Sequence, residues 1–494
     1  MILEKIKFKF WKLSNDFKYI RYLFDIISII YSNYSHFKYK KKIKNFSYSK
    51  KFLVKNFDDA QFLIIKDKFI DKNKLIGMMH VLNHIGVPFA ILSKSLFNKI
   101  DHKVLKLKVL ICFNIFPELH NIKKYNKIIL INRFKKNYIK DVVQINICPS
   151  DVMPHNSGLI SLFTVSFVKK ILNTNFPIIT NYFKSGIGIV VDDVKGDFDY
   201  NFFLKSRWKL LLSVFVNDFF KKDKILNFKK NFYQRKFFDI SPHSLSQTNF
   251  LYYDFSKGES INKKKFIKLW NFVKSKFNDN SIILSKIITS HFHLMSKSCV
   301  PILLKSKVKF YLCDIEPGEK EILYNKKFLP YGDPSLSTGN LERKNLFQIY
   351  SGSPSQSSKI KSSFYDFLEG DLSKKQLIKR LAYNLDLLIY SGFPIYLRTH
   401  EYNLIKLKKK LNAIQKFLNF YLKKQKLGLK KEKLSDISSS LLKRNSVFIK
   451  KINIRKNKLS VFCNKNKNII NIFYKNKIID YKAFKKMKTG YEII

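Results

Sequence analysis

Residues 186–193 read GIGIVVDD, an apolar run that ends in two adjacent carboxylates. Six more apolar runs follow: LLLSVFVND (210–218), FFDISPHS (237–244), IILSKIITSHFH (282–293), VKFYLCDIE (308–316), LFQIYSGS (346–353) and FPIYLRTHE (393–401). Short, nearly continuous apolar runs of this kind read as strands buried on both faces. Segments with helical spacing lie between several of them, such as KKKFIKLWNFVKSKF (263–277) and KKQLIKRLAYNLDLLIYSG (374–392). The second stops at Gly392 with Pro394 just beyond, a helix terminus. Strand–helix repetition from 185 to 403 predicts a parallel, partly open barrel, in which reactive groups project from the C-terminal ends of the strands. The DD, PHS, SHFH, DIE and THE clusters sit at those ends.

Upstream, QFLIIKD, PFAILS, KLKVLICFNIF, NKIILIN and DVVQINI read as five buried strands, with a helix over KNKLIGMMHVLNHIG between the first two. Residues 51–180 are thus expected to form a small open α/β domain. It carries no Gly-rich phosphate fingerprint and is assigned no nucleotide. Residues 1–50 form a basic arm ending in KKKIKNFSYSKK. After the barrel, 404–428 read as an amphipathic helix, and 429–494 as a β-rich segment of three or four antiparallel strands.

Composition bounds the class. The 494 residues are 46% hydrophobic with 15 Gly and 12 Pro, which excludes disorder and leaves room for two to four domains. Five widely spaced cysteines without a CxxC pair exclude a disulfide scaffold and a Cys-built zinc module. The formal charge of +58 suggests a polyanion partner at first sight, but nine Arg stand against 85 Lys and Lys is spread evenly. Selected nucleic-acid reading would be expected to retain Arg for bidentate contacts. A/T-rich codon drift is the expected source of the bias, with polyanion binding by the basic surface the alternative, and no specific nucleic-acid partner is expected. The best N-terminal apolar stretch, YLFDIISIIY, is too short to span a bilayer, and no small-residue cleavage site follows it. A cytoplasmic protein, or one peripheral to a membrane through an amphipathic anchor, is expected.

The chemistry lies in the strand ends. Side chains of Asp192 and Asp193 should point to opposite faces of a strand, but at a frayed end both can reach one pocket. Two carboxylates so close favour a bound cation, one acting as base and the other as ligand. His291 and His293, two residues apart, could ligate or hold substrate. Asp314 and Glu316 share that spacing and could orient a histidine or bind sugar hydroxyls; His400 and Glu401 close the last strand. The loop SGSPSQSS (351–358) offers hydrogen bonds to a glycan.

With the ordered DD and PHSLSQ clusters in place, the central region resembles the polysaccharide deacetylase family of carbohydrate esterases. That resemblance implies a partly open (β/α)7 barrel, a divalent metal, usually zinc, and hydrolysis of acetyl groups on a glycan. It makes Asp192 the catalytic base, Asp193 and His243 metal ligands, Ser244 the conserved hydroxyl beside them, and His400 the acid that protonates the leaving group. Gln247 stands where the family's H-[ST]-x-x-H motif has its second histidine, so the third ligand is open among Gln247, His291 and His293. The family's Arg-x-Pro motif is absent. Ser244, Asp314, Glu316 and Glu401 are expected around the substrate, an acetylated glycan, which points to surface-polysaccharide synthesis. Two rivals remain. One is a metal-free glycoside hydrolase pairing Asp192 or Asp193 with Glu316 or Glu401 about 5–10 Å apart. The other is a degenerate barrel that binds glycan or scaffolds a partner.

Overall fold

The computed structural model describes residues 52–66, 72–101, 105, 108–113, 127–131, 142–145, 167–171, 178–180, 186–291 apart from four positions, 295–314, 336–338, 347–351, 373–391, 395–424 apart from 407, 429–445, and strands between 449 and 493. The chain is mixed α/β and built largely on parallel sheets. β1 (Phe62–Lys66), β2 (Phe89–Ser93), β3 (Val109–Phe113), β4 (Lys127–Ile131) and β5 (Val142–Ile145) form an open parallel sheet in the order β2-β1-β3-β4-β5. All five expected N-terminal runs are therefore strands. The helix Lys72–Ile85 ends where Gly86 takes φ 70, a left-handed position that glycine adopts without a Cβ penalty. β6 (Ile178–Thr180) lies outside this sheet and pairs antiparallel with the strand Asn471–Tyr474.

The seven central runs are also strands: β7 (Ile187–Val194), β8 (Leu210–Phe215), β9 (Phe238–Ser244), β10 (Ile287–Thr289), β11 (Phe310–Asp314), β13 (Phe347–Ser351) and β14 (Ile395–His400), with β12 (Leu336–Thr338) an antiparallel edge beside β13. One parallel sheet runs β14-β7-β8-β9 and another β10-β11-β13. A single bridge, Ile240 to Leu284, and a hydrogen bond from Ser285 N–H to the Ile240 carbonyl (2.9 Å) join them between β9 and β10. The order β14-β7-β8-β9-β10-β11-β13 is that of a barrel sheet. Among the described residues no pairing joins β13 to β14, so the sheet is open there.

Alternation along the strands separates two cores. Ile189 and Val191 of β7 with Leu210 and Leu212 of β8 pack into the large outer core. This core also takes Phe266, Trp270, Val273 and Phe277 of the helix Lys263–Asp279, spaced along one helical face. Val190, Leu211, Ile287, Phe310, Leu312 and Tyr396 point the other way and meet Leu434 and Ile437. Those last two belong to the helix Leu434–Asn445, which plugs the barrel interior from below and was not expected from the sequence. Its approach is close. Glu432 N–H donates to the Ile187 carbonyl (3.0 Å), and a Cβ on Gly188 would lie 3.0 Å from the Glu432 carbonyl oxygen. Asp239, at the bottom of β9, takes the Ser435 N–H (3.3 Å) and faces Lys433.

The remaining segment forms antiparallel strands. β15 (Ile449–Arg455), β16 (Lys458–Cys463), β19 (Phe484–Met487) and β20 (Gly490–Ile493) pair in the order β15-β16-β20-β19. β17 (Asn471–Tyr474) and β18 (Lys477–Ile479) form a second sheet with β6. Among the described residues no helix is long and apolar enough to cross a membrane. The basic arm 1–50 lies outside the described residues.

Candidate active site

The inward-facing residues change character along the barrel. Above the apolar layer of Val190, Leu211 and Ile287 come the next inward positions: Asp192, Ser213, Ser241, Thr289 and Arg398, all buried. Above these, at the strand ends, lie Asp193, His243, His291 and His400.

Two irregularities create the upper layer. Between Val191 and Val194 of β7, two residues face one on β8, so β7 carries one extra residue, and Asp193 sits there with φ 54. Aspartate tolerates this left-handed conformation better than most residues. In β9, Pro242 pairs with Val214 and Ser244 with Phe215, which leaves His243 as an extra residue. Bulges of this kind re-aim a side chain. They correct the expectation of a frayed strand end. A bulge breaks the alternation inside an intact strand, so Asp192 faces Arg398 while Asp193 turns to the two histidines.

The re-aimed groups converge. Asp193 Oδ1 lies 3.3 Å from His243 Nε2 and 3.4 Å from His291 Nδ1, and the two nitrogens are 3.2 Å apart. The three atoms form a nearly equilateral triangle. Among the described residues no well-aligned hydrogen-bond donor reaches the buried Asp193 Oδ1, and the imidazoles are its nearest polar neighbours. Neighbouring ligands on a tetrahedral zinc at about 2.0–2.1 Å stand about 3.3–3.4 Å apart. The donor set and its spacing fit a divalent ion. Burial acts to raise the Asp193 carboxyl. The His243 and His291 imidazoles and the field of His400 outweigh it and hold the group well below the usual carboxylate value. Burial lowers the His291 pKa, against the pull of Asp193. Both shifts favour the metal-binding forms, a carboxylate and a neutral imidazole. Phe215 meets His291 edge-on and Phe250 stacks on it at 6.0 Å, walling the site with apolar rings.

Asp192 lies one layer deeper. It is fully buried and paired with Arg398 Nε of β14. Arg398 is the residue that sequence reasoning missed, although it stood inside the quoted IYLRTHE. Its scarcity was the available signal, since nine arginines remain in a chain that otherwise uses lysine. His400 pairs in register with Asp192 across β14 and β7, is half-buried, and stacks on the exposed ring of Tyr402 (5.1 Å, 25°).

Several expectations need correction. Gln247 lies in the bend beyond β9, and the third corner of the triangle is occupied by His291 instead. The Ser244 hydroxyl does not face substrate; it is buried and donates to the Asn249 carbonyl (2.8 Å), bracing its own loop. Glu401 is no substrate ligand either. One oxygen accepts from Lys195 N–H (2.6 Å), and the other from the N–H groups of Gly196, Asp197 and Phe198 and from the Tyr200 hydroxyl (2.9 Å). Its acceptors are engaged in holding the loop that follows Asp193. Asp314 ends β11, paired in register with Ser351, and its side chain is outside what the structure describes. His293, Glu316 and the loop 352–358 lie outside the described residues.

No family model matches the chain, and no curated protein matches it. Among solved structures it is similar to a novel carbohydrate deacetylase, Agd3, with 9% identity, 88% of this chain and 96% of that one covered, and a TM-score of 0.42. It is also similar to the peptidoglycan deacetylase PdaC of Bacillus subtilis (10% identity, 53% and 94% covered, TM-score 0.30). A third similar structure is the Xyl-CE4 domain of a multidomain xylanase from the hindgut metagenome of Trinervitermes trinervoides (8%, 52% and 91%, TM-score 0.30).

Proposed function

We propose that this chain is a metal-dependent hydrolase that removes acetyl groups from a glycan, and that it holds a divalent ion, zinc by its donor set, on Asp193, His243 and His291. The observation that carries this reading is the triangle of three donor atoms 3.2–3.4 Å apart, set beside a buried carboxylate and a partly exposed histidine. A divalent ion in such a site supplies Lewis acidity, polarising an amide or ester carbonyl and acidifying water. Asp192, oriented by Arg398, is the base that takes the proton from the attacking water. His400, at the end of the neighbouring strand, returns a proton to the leaving amine or alcohol. Phe215 and Phe250 lower the local dielectric, which strengthens each of these charge interactions. A role in making a surface polysaccharide is the biological setting this chemistry suggests.

The metal-free glycoside hydrolase is the weaker reading. Asp193 is tied into a histidine cluster and Glu401 into loop backbone, so neither is placed as one of two opposed carboxylates.

Acetate release from N-acetylglucosamine oligomers and from acetylated xylan, with and without added zinc, tests the proposal. The expected result is zinc-dependent acetate release that Asp192→Asn and His400→Ala each reduce about 100-fold or more. New reducing ends without acetate release, insensitive to chelator, would overturn it.

A further inference from the structure

We propose that Thr289, anchored on Ser213, is a positioning residue that locks His243 in its Nδ1–H tautomer, so that the Nε2 lone pair faces Asp193 and His291. This rests on reading that cluster as a divalent-ion site. His243 Nδ1 lies 3.0 Å from Thr289 Oγ1, and Thr289 Oγ1 donates to Ser213 Oγ at 2.6 Å. All three residues are buried. A threonine hydroxyl has one proton. With that proton directed to Ser213, Thr289 can offer His243 only a lone pair, so the proton between them belongs to Nδ1. In the neutral ring that leaves the Nε2 lone pair for the cluster, the form a metal ligand needs.

The fold fixes this relay with three neighbouring parts of the barrel. Ser213 comes from β8, His243 from the bulge of β9 and Thr289 from β10. The Thr289 backbone is itself held, its N–H donating to Ser241 Oγ (3.3 Å). Outer partners of this kind, which fix the tautomer and ring direction of a ligating histidine, typically change metal affinity about 10–100-fold when removed. The short strand β10 thereby serves the site twice. It aims Thr289 at the back of His243 and, two residues on, delivers His291 to the front.

Two readouts on the full chain separate this inference from the metal reading it rests on. The first is the imidazole nitrogen spectrum of histidine-labelled, metal-free protein, with His243→Ala to identify the resonance. The second is zinc affinity by competition with a chromophoric chelator. The wild type is expected to show Nδ1–H at His243. Thr289→Val, which keeps the branched shape, is expected to lose that preference and bind zinc about 10–100-fold more weakly, with Thr289→Ser close to wild type. Ser213→Ala is the sharper variant and carries the test if Thr289→Val fails to fold. Without its acceptor, the Thr289 proton turns to His243 Nδ1 and drives the ring to Nε2–H. A His243 with no proton on Nδ1 in the wild type, or unchanged tautomer and affinity in Ser213→Ala, would overturn the inference. An Nδ1–H His243 in a wild type that binds no zinc supports the lock and contradicts only the metal reading.

Discussion

Asp193 and His243 are each the extra residue of a β-bulge, one on each of the two strands that flank β8, and their side-chain atoms meet at 3.3 Å. In a regular strand, neighbours point to opposite faces and consecutive carboxylates cannot share a pocket. The bulge in β7 lets Asp192 keep its inward place while Asp193 turns over β8 toward His243. The residues proposed as base and ligand are thus adjacent in sequence yet directed to different partners, Arg398 and His243.

This arrangement separates charge from backbone at Asp193. Asparagine also tolerates φ near 54, so metal-free Asp193→Asn should unfold in urea at close to the metal-free wild-type midpoint, and it is expected to take up no zinc on reconstitution. Asp193→Leu is likewise expected to take up no zinc and, metal-free, to be about 1–2 kcal/mol less stable, because a branched side chain strains the left-handed position. Equal stability of the two variants would argue against the bulge geometry.

Arg398 neutralises a carboxylate buried inside the barrel. Arg398→Met leaves Asp192 buried without its cation and should cost about 3–5 kcal/mol in chemical denaturation, along with activity. Arg398→Lys is expected to rescue only part of this, since a point ammonium does not reproduce the guanidinium geometry.

Glu401 separates a structural role from a substrate-binding one. Glu401→Gln sets an amide NH2 against a ring of N–H donors and should lower stability by about 1–3 kcal/mol. A raised KM with unchanged stability would instead restore the substrate-binding role expected from sequence.

The strands were legible because buried parallel strands leave near-continuous apolar runs, and all seven central runs appear as strands in barrel order. The helix Leu434–Asn445 was not legible. Its polar SSS stretch masks an apolar face of Leu434 and Ile437 that acquires meaning only inside the barrel. The local clusters at Asp193 and His243 stood out in the sequence, but the choice among Gln247, His291 and His293 did not. It depends on β10 lying beside β9, which brings together His243 and His291, 48 residues apart, a relation no local spacing records. Glu401 and Ser244 look reactive as strand-end polar residues, yet their partners are backbone groups and, for Glu401, the Tyr200 hydroxyl, which a linear reading cannot see. Bulges, too, leave no compositional trace in VVDDV or SPHS.

The most direct test is metal content per chain by elemental analysis after zinc reconstitution, in the wild type, His291→Ala and Gln247→Ala. The account predicts about one zinc in the wild type and in Gln247→Ala, and loss of it in His291→Ala. Retention in His291→Ala, or its absence from the wild type, would contradict it.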